Sequence, residues 1–193
     1  MFTRDLVVLD LECTGLDVQK HEIIQIAAIR INKDSLAEVG RFSSYVKPTD
    51  WDNRDPAAMA VNRISYDMVA SAPDAQKVLE IFENKFPAAE VLLAAYNTAF
   101  DIPMLKSMYA RTVRRSPFDF HSFDIWALAY LYWGVTNQIP NPERPIGFTL
   151  SDVAAALGVP PSTSGGFHNA IADVEAEVEI LRRLLSFFSV KRI

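Results

Sequence analysis

LVVLDLECTGLD, residues 6–17, is the stretch that decides the fold. Four apolar residues, 6–9, run directly into Asp10-Leu11-Glu12 and then into the turn-forming pair Thr14-Gly15. An unbroken apolar run of this length, closed by a turn, is the pattern of a strand covered on both faces, here with acids at its C-terminal end. Side chains alternate along a strand, so Asp10 and Glu12, two positions apart, share one face and can hold a cation between them. Without a cation or a proton the two carboxylates repel one another. Taken alone, the pair is better read as solvated acids at a strand end, each capping a nearby amide.

Moving outward, residues 23–31 are β-branched and apolar, and residues 40–46 form a more polar strand candidate. Turn chemistry at residues 32–35 joins them, so the three segments make an antiparallel meander. Residues 49–60, rich in Asp, Asn and Pro, read as a loop. Residues 73–86 read as a helix burying Val78, Ile81, Phe82 and Phe86. Residues 91–95 are a short buried strand, and helices are expected over 103–115 and 123–133. Residues 134–147, with Pro140, Pro142 and Pro145, read as a long loop of the kind that is more often functional than idle. Thr149 opens a short helix ending near Leu157-Gly158, and PPSTSGG (residues 160–166) is flexible in composition. The last helix, about 169–188, carries the stripe Ile171, Val174, Val178, Leu181 and Leu185. The order β-β-β-α-β-α-α-α-α predicts an α/β mixed sheet flanked by helices. With no internal repeat and no domain-sized linker, one domain is expected over 1–193.

Bulk properties narrow the class. The chain has 193 residues, half of them hydrophobic, which excludes a disordered chain. No apolar run reaches the roughly 18 to 20 residues that span a bilayer, so no membrane partner is expected. The N-terminus reads as a strand and not as a signal peptide. One cysteine, Cys13, excludes an internal disulfide framework and suits a reducing cytoplasm, where the protein is expected. The net charge of −5 disfavours tight binding to long duplexes. It does not exclude nucleic acid, because acids that bind metal ions are neutralised and the ions then attract phosphate.

Further acids follow. In Asn97-Thr98-Ala99-Phe100-Asp101 a strand end delivers Asp101 to a helix start, where an aspartate is also a common cap. His168 and Asp173 follow Gly165-Gly166. Five residues along one helix place side chains about 140° apart. A shared site is therefore easier with His168 in the preceding loop and Asp173 in the first turns. Alone, Asp173 would be a first-turn acid complementing the helix dipole, and His168 an exposed loop histidine. The set shifts the reading. Hard carboxylate oxygens suit Mg²⁺ or Mn²⁺, and no Cys/His spacing suits zinc. Four carboxylates can hold two such ions around a phosphoryl displacement, with a histidine to accept the proton of water.

LDLECTGLD (residues 9–17), YNTAFD (96–101) and HNAIAD (168–173) together resemble the three motifs of the DEDD 3′→5′ exonucleases. The histidine five residues before the last aspartate resembles the DEDDh subgroup, which includes polymerase proofreading subunits, ribonuclease T and oligoribonuclease. The resemblance implies a ribonuclease-H-like fold with a mixed five-stranded sheet. It implies hydrolysis of single-stranded or frayed DNA or RNA 3′ ends to nucleoside 5′-monophosphates, with two divalent metal ions, Mg²⁺ or Mn²⁺. It makes Asp10, Glu12 and Asp173 metal ligands, Asp101 a ligand or a water-mediated acid, and His168 the general base. Thr14, Gly15 and Leu16 match the turn that receives the terminal nucleotide, Leu16 wedged against its base. Asn97 and Phe100 help position sugar and base, and Ile64 aligns with a second wedge. As protein partners the family leaves open a homodimer or a polymerase.

Three departures stand out: Tyr96 where a histidine is frequent, Gln25 where a glutamate is usual, and Arg63 where a glycine is usual. None falls on an expected ligand or on the base. Arg111, Arg114 and Arg115 are read first as partners of a helix C-terminus. Trp126, Tyr130 and Trp133, at helical spacing, are read as core or an oligomer face, and Asp124 as a helix cap. The rival functions are an oligoribonuclease-like activity on very short RNA, a protein phosphatase or other metal hydrolase of the mixed-sheet type, for which a nucleophile motif is lacking, and a non-catalytic subunit docking to a polymerase. The complete acid set argues against the last, since a binding module gains nothing from clustered, mutually repelling carboxylates.

Overall fold

A computed structural model describes residues 2–136, 148–160, 162 and 169–190. The proline-rich part of the expected loop, 137–147, and most of the PPSTSGG stretch lie outside them. The opening segment is strand β1 (Asp5–Cys13), followed by β2 (Ile23–Ile31), β3 (Glu38–Tyr45), β4 (Val91–Ala95) and β5 (Phe123–Asp124). They form one sheet in the order β3-β2-β1-β4-β5, with β1 in the middle. The β1-β2-β3 meander is antiparallel, while β4 runs parallel to β1 and β5 parallel to β4. This is the mixed five-stranded α/β sheet that was expected.

The alternation of β1 divides the core. Val7, Leu9, Leu11 and Cys13 point into a cluster with α3 (Ala75–Lys85) and α4 (Thr98–Arg111). Leu6 and Val8 point the other way, against α5 (Ile125–Thr136), α6 (Leu150–Ala156) and α7 (Ala170–Val190). Leu6, Val7, Val8 and Leu9 are fully buried, and each contributes about 1.5 to 3 kcal/mol by leaving water. The even-numbered face therefore ends in Asp10 and Glu12 beside the start of α7. The parallel pairing of Val8 with Ala94 brings the C-terminal end of β4 to the same edge.

Several boundaries differ from the sequence reading. The expected loop over 49–60 contains a 3-10 turn (Trp51–Asn53) and opens α1 (Pro56–Asn62), which is followed by the short α2 (Tyr66–Val69). Its start was encoded in Asp-Pro: Asp55 caps the Ala57 amide at 2.8 Å, and Pro56 occupies the first position, where no N–H is needed. Helix α4 begins at Thr98, five residues before the expected start, and carries Pro103 inside it at the loss of one backbone bond. The Asp124 carboxylate makes this start possible, accepting from the Thr98 amide at 3.0 Å and its hydroxyl at 2.9 Å. Asp124 also accepts from the Ala127 amide at 2.8 Å, so one acid caps two helices. Phe123 and Asp124, read as helix, are the edge strand β5, and α5 continues through Thr136 into what was read as loop.

Candidate active site

Three elements meet at the C-terminal edge of β1 and β4. Asp10 and Glu12 come from β1, Asp101 from the first turn of α4, and Asp173 from the first turn of α7. Ligand atoms of Asp10, Glu12 and Asp173 all lie within 4.8 Å of one another. Around them opens a cavity of about 270 Å³, lined also by Asp101, Tyr96, Asn97, Phe100 and Glu177. His168 lies outside the described residues.

Burial is the main force on these acids. It raises the Asp10 carboxyl far above the usual range, helped by Asp101, Asp173 and Glu12. Burial, then Asp173, pushes Glu12 up to about 7. Asp101 is pushed up to about 8, again first by burial and then by Asp124 and Glu12, against backbone hydrogen bonds that lower it. Such a group of acids releases its protons readily only to a compensating positive charge. Hard oxygen donors this close fit a divalent cation of the Mg²⁺ or Mn²⁺ kind. Cys13 is buried beside them, and burial with the neighbouring carboxylates drives its thiol upward, so it is not a reactive thiolate.

The helix carrying Asp173 is held in place by Gln25. Gln25 pairs with Glu12 across β1 and β2, and its Oε1 accepts from the Ala170 amide at 3.4 Å. The departure from glutamate thus keeps an acceptor at the first amide of α7. Tyr96, where a histidine is frequent, donates its hydroxyl to the Phe148 carbonyl at 3.0 Å and ties the end of β4 to the start of α6. Arg63 caps α1 with φ 59°, a left-handed conformation that accounts for the glycine usual at this place.

A second hollow adjoins the first, sharing Leu11, Glu12 and Phe100 and lined by Leu16, Ala58, Val61 and Asn62. The Leu16 side chain is 73% exposed at its rim. Thr14 is buried, its Oγ1 accepting from the Glu22 amide at 2.9 Å. A Cβ at Gly15 would collide with the His21 ring, so only glycine allows the turn to pack there. His21 Nδ1 accepts from the Asp17 amide at 2.9 Å, and Arg111 donates to the carbonyls of Gln19 and His21 at 3.0 Å each. Arg111 therefore secures this loop, beyond any effect on its helix end.

Gly15, Leu16, Asn97 and Phe100 are brought to the two hollows; Thr14, buried behind the turn, and Ile64 line neither. Ile64 is 5% exposed and packs with Ile24 and Val69 in a separate buried cluster. The wall it was expected to supply is made by α1, whose Ala58 and Val61 face Leu16 across the hollow. Asn62 fixes that helix, donating to the Cys13 carbonyl at 3.1 Å and accepting from the Ile64 amide at 3.0 Å. The sequence reading missed Val61 and Glu177. For Glu177 a signal existed, its position four residues after Asp173 on the same helix face.

Comparison with known proteins agrees with this geometry. A family model described as an exonuclease, RNase_T, matches residues 7–181. Ribonuclease T from Shewanella baltica (strain OS155 / ATCC BAA-1091) is 25% identical, over 93% of this chain and 81% of its own. Escherichia coli exonuclease I in complex with a dT13 oligonucleotide superposes with a TM-score of 0.81 at 18% identity, over 97% of this chain and 43% of that one. The nuclease domain of 3′hExo, a DEDDh family member bound to rAMP, gives a TM-score of 0.75 at 18% identity, over 95% of this chain and 92% of that one. The chain spans under half the length of the exonuclease I chains that it matches.

Proposed function

We propose, for a chain that belongs to the RNase_T exonuclease family and is a 3′→5′ exonuclease, that it hydrolyses phosphodiester bonds at single-stranded or frayed DNA or RNA 3′ ends, releasing nucleoside 5′-monophosphates. The convergence of Asp10, Glu12 and Asp173 within 4.8 Å, beside a hollow lined by Leu16 and Phe100, carries this reading. When bound, two divalent ions would supply the charge that stabilises the attacking and leaving oxygens of an in-line displacement. Asp10, Glu12 and Asp173 would hold them, with Asp101 as a further ligand or through water.

The remaining work falls to the chain's own groups. His168 accepts the proton of the attacking water. Leu16 and Phe100 grip the terminal base, the Thr14-Gly15 turn receives its sugar, and Asn97 orients it from the start of α4. This hollow, of about 270 Å³, accepts one unpaired nucleotide, which requires a single-stranded or frayed end. The complexes of E. coli exonuclease I with dA16 and dT13 oligonucleotides support a single-stranded substrate. As protein partners we propose a second copy or a polymerase, since Tyr130, Leu131 and Val135 expose an apolar surface on α5. We assign one exonuclease domain to 1–193 and the reaction to the cytoplasm.

The test uses DNA and RNA oligonucleotides of several lengths, labelled at either end, with Mg²⁺, Mn²⁺ or a chelator. Stepwise shortening from the 3′ end that stops on chelation is expected; 5′ release, or turnover that survives chelation, refutes the mechanism. Asp10→Ala abolishes cation binding, whereas His168→Ala keeps the cation and slows turnover by roughly 10² to 10⁴. Wild-type rates in His168→Ala would remove the base assignment.

A further inference from the structure

Glu177 is an acid that the reaction above does not use. It sits one helical turn after Asp173 on α7, 1% exposed, and lines the same cavity as Asp10, Asp101 and Asp173. The backbone of Tyr96 hydrogen-bonds to its carboxylate, yet Oε2 is buried with no hydrogen-bond partner among the described residues. A buried carboxylate oxygen lacking a donor is strongly disfavoured unless a donor or a positive charge is supplied. No lysine or arginine lines the cavity among the described residues. A hydrated cation offers both a charge and O–H donors to fill that deficit.

The position of Glu177 points to the water and not the ion. The three acids with mutually close ligand atoms are Asp10, Glu12 and Asp173, and Glu177 stands outside that trio. Mg²⁺ in particular keeps several of its waters when a protein binds it. We propose that Glu177 is a positioning residue of the cation site, its free Oε2 accepting a hydrogen bond from cation-bound water and so raising cation affinity. This rests on reading the trio as the cation-holding group.

The experiment compares wild type, Glu177→Gln and Glu177→Ala as intact chains, with Mn²⁺ as the probe. Calorimetric titration gives affinity, and thermal denaturation in chelator gives stability without cation. Each variant is expected to bind Mn²⁺ about tenfold or more weakly, the usual worth of an outer partner of a metal ligand. Glu177→Gln, which keeps the shape of the side chain, is also expected to melt higher than wild type in chelator, because a buried acid without a donor is removed. If wild type binds no Mn²⁺, the reading of the trio fails and this inference with it. If wild type binds and Glu177→Gln stays within about twofold of it, Glu177 is structural and only this inference is overturned. Should Glu177→Ala not fold, Glu177→Gln decides.

Discussion

Raising the pH of the cation-free protein should destabilise it, and a divalent cation should offset much of that loss. Glu12 carries its proton up to about 7 in the fold against a usual 4.5. An acid whose folded pKa is raised binds its proton more tightly when folded. Its stabilisation is complete below about pH 4.5 and is lost as the pH climbs through about 7. That gap, at about 1.4 kcal/mol per pH unit, is worth about 3 kcal/mol. Glu12 is only 9% exposed, so solvent screening removes little of it. Asp101, at about 8 against 3.8, acts in the same direction and extends the window upward. For a chain of this size about 3 kcal/mol corresponds to a fall of roughly 6 to 12 °C in melting temperature. The assay is thermal and urea denaturation in chelator between about pH 5 and about pH 8, repeated with Mn²⁺. With cation at about a hundredfold its Kd, stability should rise by about 2.7 kcal/mol. That gain should grow with pH, because only ionised carboxylates bind. A cation-free stability that is flat or rises across this range would show that the acids ionise without cost, and would refute the argument that their burial calls for a cation.

Two further outcomes test the surroundings of the acids. Gly15→Ala drives a methyl into the His21 ring; it should cost about 1 to 3 kcal/mol in urea denaturation and raise the KM for an oligonucleotide, because the turn beside Leu16 must shift. Wild-type stability and KM in that variant would mean the loop tolerates the displacement. Gln25→Ala removes the acceptor of the Ala170 amide and should weaken Mn²⁺ binding about tenfold by releasing the start of α7, whereas Gln25→Glu, which keeps an acceptor, should restore it. Calorimetry on both variants decides, and unchanged affinity in the alanine variant would sink the idea.

What was legible in the sequence follows from how many elements each feature involves. Residues 6–9 lie in one strand, and a continuous apolar run reports directly that both faces are covered; the central place of β1 could be read from it. Asp10 and Glu12 share a face by the strand period alone. The start of α4 was misplaced because its decisive cap, Asp124, comes from a strand 26 residues away, and Pro103 is the louder local signal. Phe123-Asp124 was invisible as a strand: two residues have no period, and only pairing with Ala94 and Ala95 defines them.

Ile64 and Glu177 fail in opposite ways, and the same physics explains both. Alignment of Ile64 with a wedge identifies a position in the chain, but whether its side chain faces the hollow depends on the turn at Arg63, whose φ of 59° redirects the chain after α1. That turn buries Ile64 against Ile24 and Val69, while Val61 is left 49% exposed at the hollow. Glu177, among the apolar positions of α7, looks like one more charge on a charged helix until the helix is seen to be covered nearly all round. Its spacing puts it on the face of Asp173, but spacing alone does not report that this face is closed off from water. On α7, with Val174, Val178 and Leu181 buried beside it, it points into the cavity with the other four. The burial around it, a property of packing that the spacing alone does not report, turns that residue from a solvated charge into part of the site.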